Sequence, residues 1–192
     1  MVKKLLIDIS YCTVCKKHLP FKPFPVIQAG TEAKIIIIGQ APGLKVHQSG
    51  KPWDDASGKK LKEWLGIDDE TFYNPGNIAL VPMGFCYPGK GNSGDLPPRP
   101  ECAPLWHTQL LNAMKKVQLI ILIGQYAQSY YLGDKAKENL TATVKDFKKY
   151  LPRYFPLPHP SPRNRFWLVQ NKWFEEGTVP LLQKKVKSLI GK

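Results

Sequence analysis

The stretch Lys34-Ile35-Ile36-Ile37-Ile38-Gly39 contains four consecutive isoleucines and ends in glycine. A short, continuous β-branched run of this kind predicts a strand that is buried on both faces, as strands of parallel sheets are. The stretch Leu119-Ile120-Ile121-Leu122-Ile123-Gly124 has the same design. Two such runs in one chain indicate the centre of a parallel sheet.

The segments around these two runs alternate between helical and extended patterns. Helical spacing is found at 56–65, 104–117, 125–132 and 172–190, the last interrupted near Gly177 and Pro180, and weaker strands are indicated at 77–81 and 153–157. Strands that alternate with helices predict a parallel sheet with helices on both faces. We therefore expect an α/β fold, a single-domain three-layer αβα arrangement over residues 1–192 with a central, mainly parallel four-stranded sheet.

The charge of the chain favours an anionic partner. The 192 residues include 28 Lys or Arg against 15 Asp or Glu, a net charge of +13, and residues 145–192 alone carry 11 basic against 3 acidic residues. Aromatic residues are interleaved with these basic residues, a mixture that suits base stacking and phosphate binding, although most of these aromatic residues are expected in the core. No run of eighteen apolar residues occurs, and Asp8 interrupts the signal-like start of the chain, so we expect a cytoplasmic protein without membrane attachment.

Two loops follow predicted strands at the edge of the sheet where ligands of such folds bind. Gly39-Gln40-Ala41-Pro42-Gly43 follows the first strand, and His159-Pro160-Ser161-Pro162-Arg163-Asn164 follows the last. A glycine-rich turn after a strand can bind a phosphate or be only a turn, and the second loop can be only a rigid surface loop. Each motif taken singly is therefore weak.

The four cysteines form two pairs, Cys12-x2-Cys15 and Cys86-x15-Cys102. The segment between Cys86 and Cys102 is rich in Pro and Gly and is predicted to be neither helix nor strand, so a tether at its ends is expected. Disulfides are disfavoured in a reducing cytoplasm. Four thiolates suit zinc or an iron–sulfur cluster, and the spacing does not separate these two.

Taken together, these motifs resemble the uracil-DNA glycosylase superfamily over roughly residues 10–175. The two loops resemble its signature loops, and Gly50–Gly58 and Ile123–Gln128 are similar to segments that lie between them. The cysteine spacing resembles that of the iron–sulfur families 4 and 5. The resemblance implies a [4Fe–4S] cluster on Cys12, Cys15, Cys86 and Cys102, with zinc as the alternative. It also implies a monomeric base-excision repair enzyme whose partner is DNA containing a deaminated base.

The resemblance also implies roles for individual residues. His159 corresponds to the histidine that donates to the base carbonyl, although a histidine fixed in a turn is the alternative. Trp53 replaces the stacking phenylalanine, with a core tryptophan as the alternative. Base binding is expected at Trp53, Ala41 and Gly39, and DNA binding at Pro42, Gly43, Pro160, Ser161, Arg163, Asn164 and Arg165. For Arg163, which would enter the vacated duplex space, and for Arg165, a solvated basic loop is the alternative.

The catalytic carboxylate departs from the best-known family patterns. Gln40 and Ala41 occupy the two positions where other families carry a Glu or an Asp. Asp55, followed by Ala56-Ser57-Gly58, resembles the aspartate of family 5. Asp55, His159 and Gln40 are therefore the predicted catalytic residues, while capping of the next helix is an equal interpretation of Asp55.

The sequence leaves more than one interpretation of the substrate range and of the function. Pro82 stands where family 4 has an asparagine that reads uracil, so broader substrates such as hypoxanthine are expected. A non-catalytic nucleic-acid-binding protein on the same fold is the main alternative, and another nucleotide hydrolase is the second. Binding of a uracil strand without excision indicates the first alternative, and activity on free nucleosides indicates the second.

Overall fold

The computed structural model describes residues 1–191 of the chain. The helices and strands follow in this order: α1 (Val2–Ser10), β1 (Ile35–Ile38), α2 (Leu44–Ser49), α3 (Ala56–Leu65), α4 (Asp69–Phe72), β2 (Ile78–Leu80), β3 (Lys90–Gly91), β4 (Gly94–Asp95), α5 (Cys102–Ala113), β5 (Leu119–Ile123), α6 (Gly124–Leu132), α7 (Leu140–Lys145), β6 (Tyr154–Leu157), α8 (Arg165–Gln170) and α9 (Val179–Ile190). Single 3₁₀ turns lie at Lys16–His18, Gly133–Lys135, Phe147–Tyr150 and Pro162–Asn164, and a π-helical turn lies at Phe174–Thr178.

The central sheet has four strands in the order β2-β1-β5-β6. Ile35 pairs with Ile78 on one side and with Leu119 on the other, and Ile120 pairs with Tyr154. All three pairings are parallel. The two runs that predicted the sheet are thus its two central strands, β1 and β5.

The isoleucines of β1 are divided between the two faces of the sheet, because successive side chains of a strand point to opposite faces. Ile35 and Ile37 pack in a core with residues of α3, α7 and α9. Ile36 and Ile38 pack in a second core with residues of α1, α5 and α6. All four have 0% exposure. This arrangement confirms the three-layer αβα fold.

The helix over residues 56–65 was predicted with the bounds that the structure shows. The Asp55 side chain caps its start by accepting a hydrogen bond from Gly58 N at 2.8 Å, and Gly66 ends it in the left-handed conformation with φ of 67°. The expected interruption of 172–190 is the π-helical turn Phe174–Thr178, after which Pro180 lies in the first turn of α9.

Two parts of the chain differ from expectation. The segment between Cys86 and Cys102 is not without strands, because β3 and β4 form a short antiparallel hairpin in which Lys90 pairs with Asp95. The helix expected at 104–117 runs over Cys102–Ala113, so Cys102 lies in its first turn. Among residues 1–191, no helix is both long and apolar enough to cross a bilayer.

Candidate active site

A cleft of about 460 Å³ opens beyond the carboxyl ends of the parallel strands. It lies between the loop that follows β1 and the loop that follows β6, as expected for a sheet of this type. Most of the predicted site residues line it: Gly39, Gln40, Ala41, Pro42, Gly43, Trp53, Asp55, His159, Ser161, Arg163 and Asn164. Pro160 is buried and Arg165 is exposed, and neither lines the cleft, so their contacts with DNA stay predictions.

Trp53 is held in an unusual backbone conformation at the centre of the cleft. Its φ is 58°, and it is the sole residue other than glycine with positive φ in residues 1–191. Such a conformation in a bulky residue is costly and is found mostly where the surroundings enforce it, often at functional sites. Its ring stacks on that of His159, with centroids 5.8 Å apart and an interplanar angle of 29°.

Two glycines make room for this placement of Trp53. A Cβ on Gly58 would lie 1.8 Å from the Trp53 carbonyl oxygen, and a Cβ on Gly39 would lie 2.7 Å from Cζ2 of the indole. Neither position therefore accepts a larger residue without moving Trp53. Gly39 and Gly58 therefore leave the space that the indole ring and the carbonyl of Trp53 occupy.

His159 lies just after β6 and is largely shielded from water. Burial lowers the pKa of His159, and the negative charge of Asp55 opposes that shift only in part. The imidazole is therefore neutral at neutral pH and can donate through one ring N–H. Its ring makes no hydrogen bond to any group in residues 1–191, while its carbonyl accepts from Asn164 Nδ2 at 2.7 Å.

The sequence left open whether Asp55 caps a helix or belongs to the functional site. Its carboxylate caps α3 through the 2.8 Å hydrogen bond from Gly58 N, so capping is a fact of the structure. The same side chain lines the cleft and acts electrostatically on His159. Capping therefore does not remove Asp55 from the site.

Gln40 and His159 flank Gly124, the first residue of α6. A Cβ on Gly124 would lie 3.2 Å from Gln40 Nε2 and 3.8 Å from His159 Cβ, and Gly124 has φ of +79°. The Gln40 carbonyl accepts from Gly84 N at 2.9 Å, and the Gly39 carbonyl accepts from Met83 N at the same distance. The backbone of the first loop is thus fixed by its neighbour at the end of β2.

The β3–β4 hairpin covers one side of the cleft, and sequence reasoning missed its residues there. Ser93, Gly94, Asp95 and Leu96 line the cleft, and Asp95 adds a second carboxylate to it. Arg163 Nη1 donates to the Ser93 carbonyl at 2.7 Å, which joins the hairpin to the loop after β6. The turn-forming pair Asn92-Ser93, set between two glycines, is the signal that could have indicated a hairpin.

Pro82 lines the cleft, and its carbonyl is hydrogen-bonded to His107. His107 Nε2 lies 3.0 Å from the Pro82 carbonyl, which can only accept, so Nε2 carries the proton and donates. His107 Nδ1 then accepts from the Tyr131 hydroxyl at 2.6 Å. Burial lowers the pKa of His107 to about 4, which keeps this ring neutral.

The four cysteines lie together around a second, small cavity, which they line with Leu19, Phe85 and Trp106 among others. None of the four forms a disulfide. Cys102 Sγ accepts a hydrogen bond from Phe85 N at 3.4 Å, and Cys15 Sγ lies 3.9 Å from Glu101 Oε2. Within residues 1–191, no group of three or more His, Cys, Asp or Glu side chains is placed to hold a metal ion.

Comparison with known proteins agrees with the fold. The sequence model described as the uracil DNA glycosylase superfamily matches residues 26–183. The chain belongs to the uracil DNA glycosylase superfamily. The matched residues include both loops of the cleft, and the superfamily resemblance of the sequence is thereby confirmed.

One curated relative of this superfamily member is the type-4 uracil-DNA glycosylase of Sulfurisphaera tokodaii. The two are 26% identical, and the match covers 83% of this chain and 74% of the relative. The likeness therefore extends over most of both proteins.

Proposed function

We propose that the protein is a DNA glycosylase that hydrolyses the N-glycosidic bond of uracil or another deaminated base in DNA. The observation that carries the proposal is the stacked pair Trp53 and His159, 5.8 Å apart in a cleft that Asp55 and Gln40 also line. Superfamily membership and the type-4 relative support the same activity. The net charge of +13 suits a polyanionic substrate.

The cleft offers a group for each requirement of the reaction. The target base leaves the stack and enters a pocket, where an aromatic ring can stack on it. Trp53 supplies that ring, and the neutral His159 donates to the carbonyl of the leaving base. As the bond breaks, the sugar gains positive charge, and the Asp55 carboxylate stabilises it or orients the attacking water.

The substrate range proposed here is broader than uracil. Pro82 has neither a side-chain donor nor a backbone N–H to read the edge of a pyrimidine. The Gln40 amide offers both a donor and an acceptor, so it can pair with different bases by presenting either group. Uracil and hypoxanthine are both compatible with these groups.

A panel of oligonucleotides tests the proposal. Each strand carries one lesion, such as uracil, hypoxanthine or xanthine, and abasic sites are detected by alkaline cleavage after single-turnover incubation. We expect cleavage at uracil and at one or more of the other deaminated bases, and none on the undamaged control. Absence of abasic sites on every lesion contradicts the proposal.

The second candidate is a DNA-binding protein without excision activity. The observation in its favour is that the Asp55 carboxylate already accepts from Gly58 N, while Gln40 and Ala41 supply no acid. A gel-shift assay on the same panel separates the two. Binding of a uracil strand that leaves the strand free of abasic sites favours this candidate.

We further propose that the cysteine cavity holds a [4Fe–4S] cluster, with zinc as the alternative. The four thiols line one cavity of residues 1–191, which brings the ligands of either group together, and the resemblance of their spacing to the iron–sulfur families favours the cluster. Trp106 also lines this cavity, and its Nε1 is buried without a hydrogen-bond partner in the described chain, so its N–H is available to a sulfur acceptor.

When bound, such a cluster supplies four iron–thiolate bonds that join the end of α1 to the start of α5. Burial raises the pKa of Cys86 to about 11 and that of Cys102 to about 12, so ligation releases thiol protons. The test is purification without oxygen, followed by metal analysis. About four irons per chain with a broad visible absorbance are expected, and one zinc per chain contradicts the cluster.

A further inference from the structure

Four aromatic rings form a cluster next to the cleft, in which two phenylalanine rings are exposed, one histidine ring is half-buried and one tyrosine ring is buried. These are Phe21, Phe24, His47 and Tyr87, here called the aromatic platform. Phe21 stacks on His47 with centroids 5.2 Å apart and 16° between the planes, Phe24 meets the His47 ring edge-on at 5.6 Å, and Tyr87 lies 6.0 Å from it. Phe21 stays 50% exposed and Phe24 46% exposed. Grouped aromatic surface that faces water marks an interaction site.

The platform is continuous with the cleft. His47 follows Val46 in α2, and Val46 lines the cleft. Leu96 also lines the cleft and is itself 46% exposed. A Cβ on Gly89 would touch both Leu96 and Pro20, at 3.4 and 3.5 Å, and Pro20 directly precedes Phe21. Leu96 of the cleft and Pro20 next to the platform thus both lie against Gly89, so the platform is a neighbour of the cleft.

The charged residues beside the platform are Asp95, which acts electrostatically on the buried Tyr87, and two exposed lysines that favour an anionic partner. Lys22 and Lys45 are exposed next to it, and neither forms an ion pair with a carboxylate in residues 1–191. An apolar peptide would leave both ammonium groups without a counter-charge. A nucleotide chain supplies bases for the rings and phosphates for the lysines together, as in proteins that bind single strands.

The platform is held by its own packing. His47 Nδ1 is buried and has no hydrogen-bond partner in the part of the chain that the structure describes, so ring contacts alone fix this imidazole. Gly50, with φ of +68°, lies against Phe24, and a Cβ there would come within 3.2 Å of the Phe24 ring. Removing Phe21 and Phe24 thus removes both exposed rings and two of the three ring contacts of His47.

We propose that the aromatic platform stacks an unpaired base that neighbours the target base, so that the protein prefers single-stranded DNA to duplex. The inference rests on the proposed function, because the target base occupies the cleft. In a duplex, the neighbouring base is paired and stacked, and it reaches the platform only at the cost of leaving its helix. In a single strand, that cost is small.

The experiment measures binding of a strand in which uracil carries a 2′-fluoro group that resists hydrolysis. A fluorescent 2-aminopurine, whose emission falls on stacking, is placed on the 5′ or the 3′ side of this uracil. The protein, the double variant Phe21→Leu with Phe24→Leu, and each single variant are compared on single strand and on duplex. Tyr130→Leu in α6 is the matched control, since Tyr130 is 45% exposed and does not line the cleft.

We expect tighter binding of the single strand than of the duplex, with quenching on one side of the uracil. The double variant should lose about 5- to 150-fold in single-strand affinity, the range for one stacked base, and it should also lose the quenching. Its duplex affinity should change less than about 2-fold, within the additivity error for groups that make no contact. Lys22→Gln with Lys45→Gln should reduce the slope of log affinity against log salt by about 1.4, for two phosphates of a single strand.

Two results overturn the platform. One is unchanged single-strand affinity in the folded double variant, and the other is an equal loss on single strand and duplex. If the protein excises bases but the Phe variants bind single strand as tightly as the unaltered protein, the platform proposal is wrong and the proposed function stands. If no base is excised but platform-dependent quenching persists, the platform stands and the proposed function fails. Circular dichroism of each variant checks its folding, and the single variants serve if the double variant unfolds.

Discussion

The cleft and the cysteine cavity share the segment that follows β2, yet they are stabilised by different kinds of contact. In the cleft, backbone hydrogen bonds of 2.9 Å join Gly39 to Met83 and Gln40 to Gly84. In the cysteine cavity, the thiols come from three separate pieces of chain, and backbone N–H groups donate to two of them, from Phe85 to Cys102 and from Phe24 to Cys86. The cleft is thus fixed by hydrogen bonds between backbone groups that follow β1 and β2, whereas the four thiols of the cavity form no disulfide with one another.

Gly84 connects these two regions. Its N–H donates to the Gln40 carbonyl, and the same residue lines the cysteine cavity. The comparison shows that the candidate catalytic residues and the cysteines lie in separate regions, which are connected through the backbone of Gly84. A change in the cleft should therefore alter rate with little effect on stability, and a change at the cavity should alter the bound group with little effect on rate.

The largest effect is expected from Asp55→Asn. Asparagine caps a helix about as well as aspartate, so folding and DNA binding should be nearly unchanged. The charge that faces the developing sugar cation is lost, and excision should fall by about 100- to 1000-fold, the usual range for one electrostatic group. Single-turnover excision measures this fall.

The neighbouring Asp54→Asn is the matched control, since Asp54 is also partly buried but does not line the cleft. His159→Ala should also slow excision, by removing the donor to the leaving base. If Asp55→Asn excises at the unaltered rate while Gln40→Ala is inactive, then Asp55 is only a cap and Gln40 is the essential group.

The next largest effect concerns the pH dependence of stability at the wall behind the cleft. The pKa of His107 is about 4 in the folded protein, below the unfolded value of about 6.5. Between these values the unfolded chain binds a proton that the folded chain does not, so stability falls as pH drops from about 6.5 to 4. The loss should total about 3 kcal/mol.

Urea unfolding at several pH values measures this loss. In His107→Gln the group no longer titrates, and the amide can still donate to Pro82, so the pH slope in this window should flatten. An unaltered slope in that variant would show that other groups cause the pH dependence.

A smaller effect is expected from Trp106→Phe at the cysteine cavity. If the Nε1–H donates to a sulfur of the bound cluster, it stabilises the more negative, reduced form. Its removal should lower the one-electron reduction potential by about 40 mV, equivalent to a net hydrogen bond of about 1 kcal/mol. Voltammetry measures the shift, and Trp173→Phe, whose indole bonds to Asn171 in another part of the fold, should leave the potential unchanged. An unshifted potential in Trp106→Phe contradicts the bond.

The smallest effect is on the pKa of His159 in Asp55→Asn. Asp55 raises this pKa against the larger lowering by burial, so loss of its charge should lower the pKa further. The direction of the change in the His159 pKa tests this prediction, and NMR titration of the His159 ring measures it. A higher pKa in the variant would mean that Asp55 does not face the imidazole.

Local sequence determined the sheet and much of the cleft. The isoleucines of β1 and the apolar run of β5 have no stable place except a strand covered on both faces, so the parallel core followed from residue type alone. Since parallel strands present their carboxyl ends at one edge, the loops at Gly39–Gly43 and His159–Asn164 had to meet there. Asp55 could be recognised as a cap from its place before Ala56.

Only the tertiary structure decided which distant groups share the cleft. The hairpin of β3 and β4 brings Ser93 and Asp95 over it, and no local pattern ties residues 90–95 to Arg163, with which the hairpin pairs. The aromatic platform is assembled from residues 21 to 87, so it has no sequence motif. The left-handed backbone of Trp53 likewise depends on tertiary contacts, because Gly39 and Gly58 leave the space that its indole and carbonyl occupy.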